Sequence, residues 1–315
     1  MNTRTKPNRG GFTLVEMLVV VAIIGILAAI LVPTLYGVVI RGRENRIAQE
    51  LNQLHMQVEA YKQKFGDYPP DFVDMRIVER HLRKAFPRHQ ENLQAFFTAR
   101  GVPDPSEALV FWLGSLKNDP RKPLTGSGEV NKLFDFKEEQ LRDLDGDGWL
   151  SYVPKDAPEA PYVYFDSRSY NAGYPGLPDP SNPSPATLSS APLCRYVASN
   201  PNDVVYPYQI ERPNRGPDAH FGPVQSQFPP PPNPVSPLYN REWVNPTTYQ
   251  IISAGLDGEF GPDPYNPDPT TGQLKHKVFP APETAYPVAD YNWGEADWDN
   301  IANFSDGRTF EDHVE

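Results

Sequence analysis

Gly10-Gly11-Phe12-Thr13-Leu14-Val15-Glu16-Met17-Leu18 opens an apolar run that extends to about Val32. Arg4, Lys6 and Arg9 precede it, and from Phe12 to about Ile40 the only charged side chain is Glu16. Roughly 20 apolar residues suffice to cross a bilayer core as a helix. A carboxylate at membrane depth costs about 2.5–3.5 kcal/mol or more, so Glu16 marks a functional position that calls for a cationic partner. Gly25, Ala28 and Ala29 are small enough to let helices approach closely. Pro33 is expected to kink or loosen the helix. Two ordinary readings fit less well. A secretory signal peptide places small residues at a cleavage site after its apolar region, whereas bulky Ile30 and Leu31 follow Ala28-Ala29. A plain single-span anchor has no use for Glu16.

The basic leader, Gly11, Phe12 and Glu16 together resemble the type IV prepilin signal, shared by type IV pilins and the pseudopilins of type II secretion systems. The resemblance implies that residues 1–11 are a leader. A prepilin peptidase would cut between Gly11 and Phe12 and methylate the new amine of Phe12. It also implies that Glu16 pairs with the N-terminal amine of a neighbouring subunit during assembly. Such a pairing suits a carboxylate held in lipid. Arg41, Arg43 and Arg46 follow the span, so flanking charge alone does not orient it. The resemblance places the N-terminus in the cytoplasm and the bulk of the chain in the periplasm, with one pass through the inner membrane.

The helix is expected to continue beyond the membrane. Ile47, Leu51, Leu54, Val58, Tyr61 and Phe65 recur at alternating steps of four and three, forming one apolar stripe. Gly66-Asp67-Tyr68-Pro69-Pro70 stops it. A helix from Phe12 to Phe65 would be about 80 Å long. Residues 12–40 are its assembly half and 41–66 its amphipathic half, whose stripe must pack on a globular domain at 67–315. Helices are predicted over Met75–Leu82, Glu91–Arg100 and Pro105–Gly114, with His81 and His89 on the surface.

The chain carries 37 prolines, about twice the usual share, and a net charge of −11. Removal of residues 1–11 takes away three basic and no acidic side chains, leaving −14. That acidity argues against a nucleic-acid partner. The lone Cys194 excludes an intrachain disulfide and reads as a small buried or loop residue. The histidines are scattered, without His-Glu-x-x-His, Cys-x-x-Cys, phosphate-loop or Gly-x-Ser-x-Gly patterns, so the sequence reads as non-enzymatic.

Asp143, Asp145 and Asp147 at alternate positions, followed by Gly148, match the first half of an EF-hand loop and point to Ca²⁺. Pro154 stands where the bidentate Glu would be, so another segment or water must finish the shell. Pro161–Phe165 and Thr248–Ser253 read as strands. The second runs into Ala254-Gly255-Leu256-Asp257-Gly258. This pair resembles the strand pair of the major, G-type pseudopilin family, in which such a turn and a following acidic loop hold calcium. The resemblance makes Asp257 a side-chain ligand and Ala254 a carbonyl ligand. Asp263, Asp297 and Asp299 are candidates for the second carboxylate, and the acidic-then-aromatic run Asp297–Phe304 favours Asp297 or Asp299.

Between the strands, residues of about 166–246 form a Pro-, Ser-, Asn- and Tyr-rich insertion, either a Tyr-anchored ordered segment or a functional loop, with Val204–Tyr206 a candidate edge strand. The expected fold is α+β, with one long helix on a small antiparallel sheet, short helices and a large irregular insertion. The expected function is structural: a type II secretion pseudopilus subunit that self-assembles and works with other pseudopilins and the inner-membrane platform. The alternatives are a type IV pilus subunit and a membrane-anchored, calcium-dependent binding module.

Overall fold

The first element, α1 (Leu14–Phe65), is one uninterrupted helix that runs on past Pro33. Gly66 ends it: its φ is +78°, and its N–H donates to the Lys62 carbonyl at 2.7 Å. The architecture comes from a computed structural model that describes residues 14–170, 178–179, 182–185, 194–211, 241–261 and 298–313. The leader, Gly11, Phe12, Asp263, Asp297 and much of the insertion lie outside the described residues. The chain divides into two units, 1–43 and 44–315.

In the first unit, Leu14–Leu31 has a mean hydropathy of 3.0 and none of it is buried. In the second, Ile47, Leu51, Leu54, Val58 and Tyr61 are all buried, as their spacing predicts. Burying each such side chain contributes on the order of 1.5–3 kcal/mol. After α1 come α2 (Met75–Ala85), α3 (Leu93–Arg100) and α4 (Ala108–Val110). The last passes into a π-helical turn at Phe111–Ser115 instead of continuing to Gly114 as an α-helix. His81 is not a surface residue: α2 buries Ile77, Val78, His81 and Leu82 on one face. His81 Nε2 lies 2.7 Å from the Tyr61 hydroxyl, and burial pushes its pKa down to about 3.

The strands are β1 (Leu141–Arg142), β2 (Ser151–Tyr152), β3 (Val163–Asp166), β4 (Pro178–Asp179), β5 (Asn182–Pro185) and β6 (Tyr196–Val197). They continue with β7 (Val204–Val205), β8 (Gln209–Glu211), β9 (Arg241–Trp243), β10 (Tyr249–Ser253) and β11 (Ile301–Ala302). The central sheet has the order β11-β10-β3 and is antiparallel, with Ile252 opposite Val163 on one side and Ala302 on the other. Alternation then assigns two faces. Tyr162, Tyr164, Tyr249, Ile251 and Ile301 join the core that contains the α1 stripe and Trp112. Val163, Phe165, Ile252 and Ala302 join a second core with Tyr170, Cys194, Tyr196, Val205, Tyr208, Phe260 and Phe310.

Both faces of the sheet are therefore covered, and β3 and β10 are buried at every position. The described parts of the insertion supply much of the second cover, and they are Tyr-anchored. Val204-Val205 pairs with β6 in a hairpin and is not an edge of the central sheet. Gln250, wholly buried in the middle strand, donates to the carbonyls of Tyr208 and Val244 and accepts from the Tyr208 N–H at 2.7 Å. Its amide thus replaces backbone partners that the irregular insertion lacks.

The stripe should carry much of the stability. Leu54→Ala is expected to cost about 2–5 kcal/mol. Met56→Ala, on the exposed side of the same turn, should change stability by less than about 0.5 kcal/mol. Guanidinium unfolding of the full-length chain in detergent, followed by tryptophan fluorescence, checks the contrast.

Candidate functional site

Glu16 lies in the first turn of α1 and is the only acidic residue there. Around it Leu14, Val15, Leu18, Val19 and onward to Val39 form a helix surface of exposed large apolar residues. An apolar surface of that extent requires lipid or other apolar helices against it. The first unit thus carries a membrane-type helix with one carboxylate near its start.

The second unit carries two acidic loops. In the first, Asp143 turns inward on the loop, accepting from the N–H groups of Gly146 and Gly148 at 2.8 and 3.2 Å. Asp145 accepts from the Asp147 N–H, and Asp147 from the Trp149 N–H. Asp145 and Asp147 meet Glu107, with candidate ligand atoms of the three within 4.8 Å of one another. Asp143 is not part of this trio. Glu107 stands just before α4, where Asp104 takes the Ser106 N–H and the Asp104 N–H donates to Glu107 at 2.9 Å. Burial pushes the Glu107 pKa up to about 8, and the charges of Asp104, Asp147 and Asp145 push the same way. Asp104, Ser106, Glu107, Asp145, Ser151 and Tyr196 line a cavity of about 270 Å³ beside the trio. The sequence demanded a further segment to finish this loop, but nothing local marks Glu107 as that segment.

The second loop leaves β10 at Ala254, which is buried. Gly255 has φ +68°, and a Cβ there would sit 2.2 Å from the Asp299 carbonyl oxygen, so only glycine admits this approach. Asp299 Oδ2 accepts from the N–H groups of Leu256 and Asp257 at 2.7 and 3.0 Å. Asp299 Oδ1 is buried without a hydrogen-bond partner among the described residues. Burial pushes the Asp257 pKa up to about 7, with Asp299 adding a like charge, and burial also raises Asp299. An exposed and a partly buried carboxylate, paired and with one oxygen unsatisfied among the described residues, form a donor set of the kind a hard divalent cation takes. Of the sequence candidates for the second carboxylate, Asp299 meets the turn, whereas Asp263 and Asp297 lie outside the described residues.

The raised carboxyls fix a sign. A carboxyl whose folded pKa exceeds its unfolded value stabilises fully below the unfolded value, about 4, and loses that contribution as pH rises through the folded one. With chelator present, stability should fall between pH 4 and 8. Asp257→Asn and Glu107→Gln should each flatten the fall. Melting midpoints across that range test this, and unchanged slopes in both variants would contradict it.

Residues 6–32 match the family model described as the prokaryotic N-terminal methylation motif. Curated relatives include three forms of the type IV major fimbrial protein FimA of Dichelobacter nodosus, each 45% identical over 49 residues. That is 16% of this chain and 31% of each relative, so the chain spans about a third of the relatives it matches. No solved structure matches. The motif and these relatives support a pilin-like structural subunit, and the apolar N-terminal helix fits a membrane-anchored protein. Residues 6–32 thus carry a prepilin-type N-terminal methylation motif, and the N-terminal region of the chain is type IV pilin-like.

Proposed function

We propose that the chain is a subunit of a type II secretion pseudopilus. The carrying observation is Glu16 at the start of an exposed apolar helix, inside the methylation motif. In this reading prepilin peptidase removes residues 1–11, and the amine of Phe12 from one subunit neutralises Glu16 of its neighbour. The apolar helices leave the inner membrane to pack as the fibre core, while residues from Glu44 onward face the periplasm. Partners are other copies, other pseudopilins and the inner-membrane platform.

Three features favour a pseudopilus: the clean helix stop at Gly66, the β3–β10 pair, and the Asp257 turn closed by Asp299. A type IV pilus subunit is the second reading, favoured by the fimbrial relatives. Their likeness lies within 49 residues, and no disulfide is available from one cysteine to close a C-terminal region. Calcium is part of the proposal. Asp257 and Asp299, with the Ala254 carbonyl, would hold one ion, and Asp145, Asp147 and Glu107 a second, with Asp143 shaping the loop. The ion would offset the repulsion among these carboxylates and lock each loop, with no chemical step. A calcium-dependent binding module on the same anchor would use the Pro-rich insertion as its ligand surface.

Deleting the gene should cause specific exported proteins to accumulate in the periplasm, and a Glu16→Leu copy should fail to restore export. Unchanged export with loss of surface fibres, adhesion or motility would give the pilus reading instead. Chelator should lower the melting midpoint of the full-length chain, because an ion that binds only the folded state stabilises it. An unmoved midpoint would count against both calcium sites.

A further inference from the structure

We infer that Asp203, from the Pro-rich insertion, is a positioning residue for the cation turn at Asp257. This rests on the calcium reading of that turn. Asp203 is only 6% exposed, and its Oδ1 accepts from the N–H groups of both Phe260 and Gly261, at 2.7 and 2.9 Å. The next residue completes the tie, since the Val204 N–H donates to the Gly261 carbonyl at 3.1 Å. Asn300 donates to the Phe260 carbonyl at 3.2 Å, and Tyr196 meets the Phe260 ring edge-on at 5.8 Å.

The turn is therefore held at two ends by two aspartates. Asp299 takes the first pair of amides, Leu256 and Asp257, and Asp203 takes the last pair, Phe260 and Gly261. Asp203 is itself fixed in a tight hairpin turn. Its N–H donates to the Asn200 carbonyl, and its carbonyl accepts from the Ala198 N–H. A cation site gains affinity when its ligands are already in place, because the ordering cost is met before binding. Without Asp203, two buried amides lose their acceptor and the exit of the turn is free to shift. The insertion thus has a duty at the centre of the fold: it sets the geometry in which Asp257 and Asp299 converge.

Both amides bond to one oxygen, so asparagine can replace aspartate there while alanine cannot. The test uses the full-length chain in detergent, with Asp145→Asn and Asp147→Asn introduced so that calorimetry with Ca²⁺ reads the turn alone. In that background Asp203→Ala should weaken Ca²⁺ binding tenfold or more, and Asp203→Asn should recover most of the loss. In chelator, hydrogen exchange at Phe260 and Gly261 should accelerate at least tenfold in Asp203→Ala, with α1 protection unchanged. A background protein that binds no Ca²⁺, alike with Asp257→Asn, would overturn the calcium reading and this inference with it. Binding in the background and in Asp203→Ala with equal affinity would overturn the positioning role alone. So would equal loss in both Asp203 variants accompanied by loss of α1 protection, which would make Asp203 a folding residue.

Discussion

Two proline carbonyls fix how the long helix meets the rest of the second unit. Pro69 and Pro70 follow directly on the stop at Gly66 and cannot lengthen the helix. Their carbonyls are claimed by buried aromatic donors: the Tyr164 hydroxyl bonds Pro69 and the Trp112 indole N–H bonds Pro70, each at 2.8 Å. Tyr164 comes from the sheet and Trp112 from the π-turn, so one short segment ties three elements together. Asp71 extends the tie. Its buried carboxylate accepts from the N–H groups of Val73 and Asp166 and from the Ser169 hydroxyl. Arg168 then bridges Asp67 and Asp166 and donates to the Tyr68 carbonyl. Buried polar groups that are all satisfied specify one arrangement, because any slip leaves several without partners. The register of the apolar stripe on the sheet follows from this knot.

A sheet of three strands with both faces buried needs two covers. α1 is one, and the insertion with the C-terminal segment is the other. This explains the composition of β3 and β10, which are mostly apolar or aromatic and bury even their polar members Asp166, Gln250 and Ser253. It also explains why the tyrosines of the insertion matter more than its prolines. Tyr170, Tyr196 and Tyr208 bring large apolar rings into the second core, Tyr196 from the short β6 and the other two from outside the strands.

Features set by local periodicity were legible in the sequence. The stripe from Ile47 to Phe65, the stop at Gly66, the two strands and the Ala254–Gly258 turn all depend on residues close in the chain. What escaped depends on pairs far apart. The surface expectation for His81 fails because its spacing with Val78 and Leu82 puts it on the packed face against Tyr61. Glu107 meets Asp145 and Asp147 across some forty positions, and Asp203 reaches Phe260 across 57. Chain pairing over such distances leaves no local pattern. The π-turn at Phe111 was hidden for another reason: it shares its composition with an α-helix, and packing of Phe111, Trp112 and Leu113 decides its pitch.

The two units answer to different physics. The methylation motif at residues 6–32 overlaps the exposed apolar helix of the first unit, whose surface requires lipid or other apolar helices against it. The second unit must keep both faces of its sheet covered and relieve the charge of its acidic loops. Relief is the tighter condition. Burial and neighbouring carboxylates disfavour the charged forms of Asp257 and Glu107, so a positive charge would relieve each loop. A proton supplies it below the raised pKa values, but that leaves each loop dependent on pH. In the calcium reading proposed above, a divalent cation would supply it at neutral pH, and it would also engage Asp299 Oδ1, which has no hydrogen-bond partner among the described residues. On that reading, for a chain of net charge −11, holding the acidic loops with a cation instead of a proton would make the folded form less sensitive to small shifts in pH.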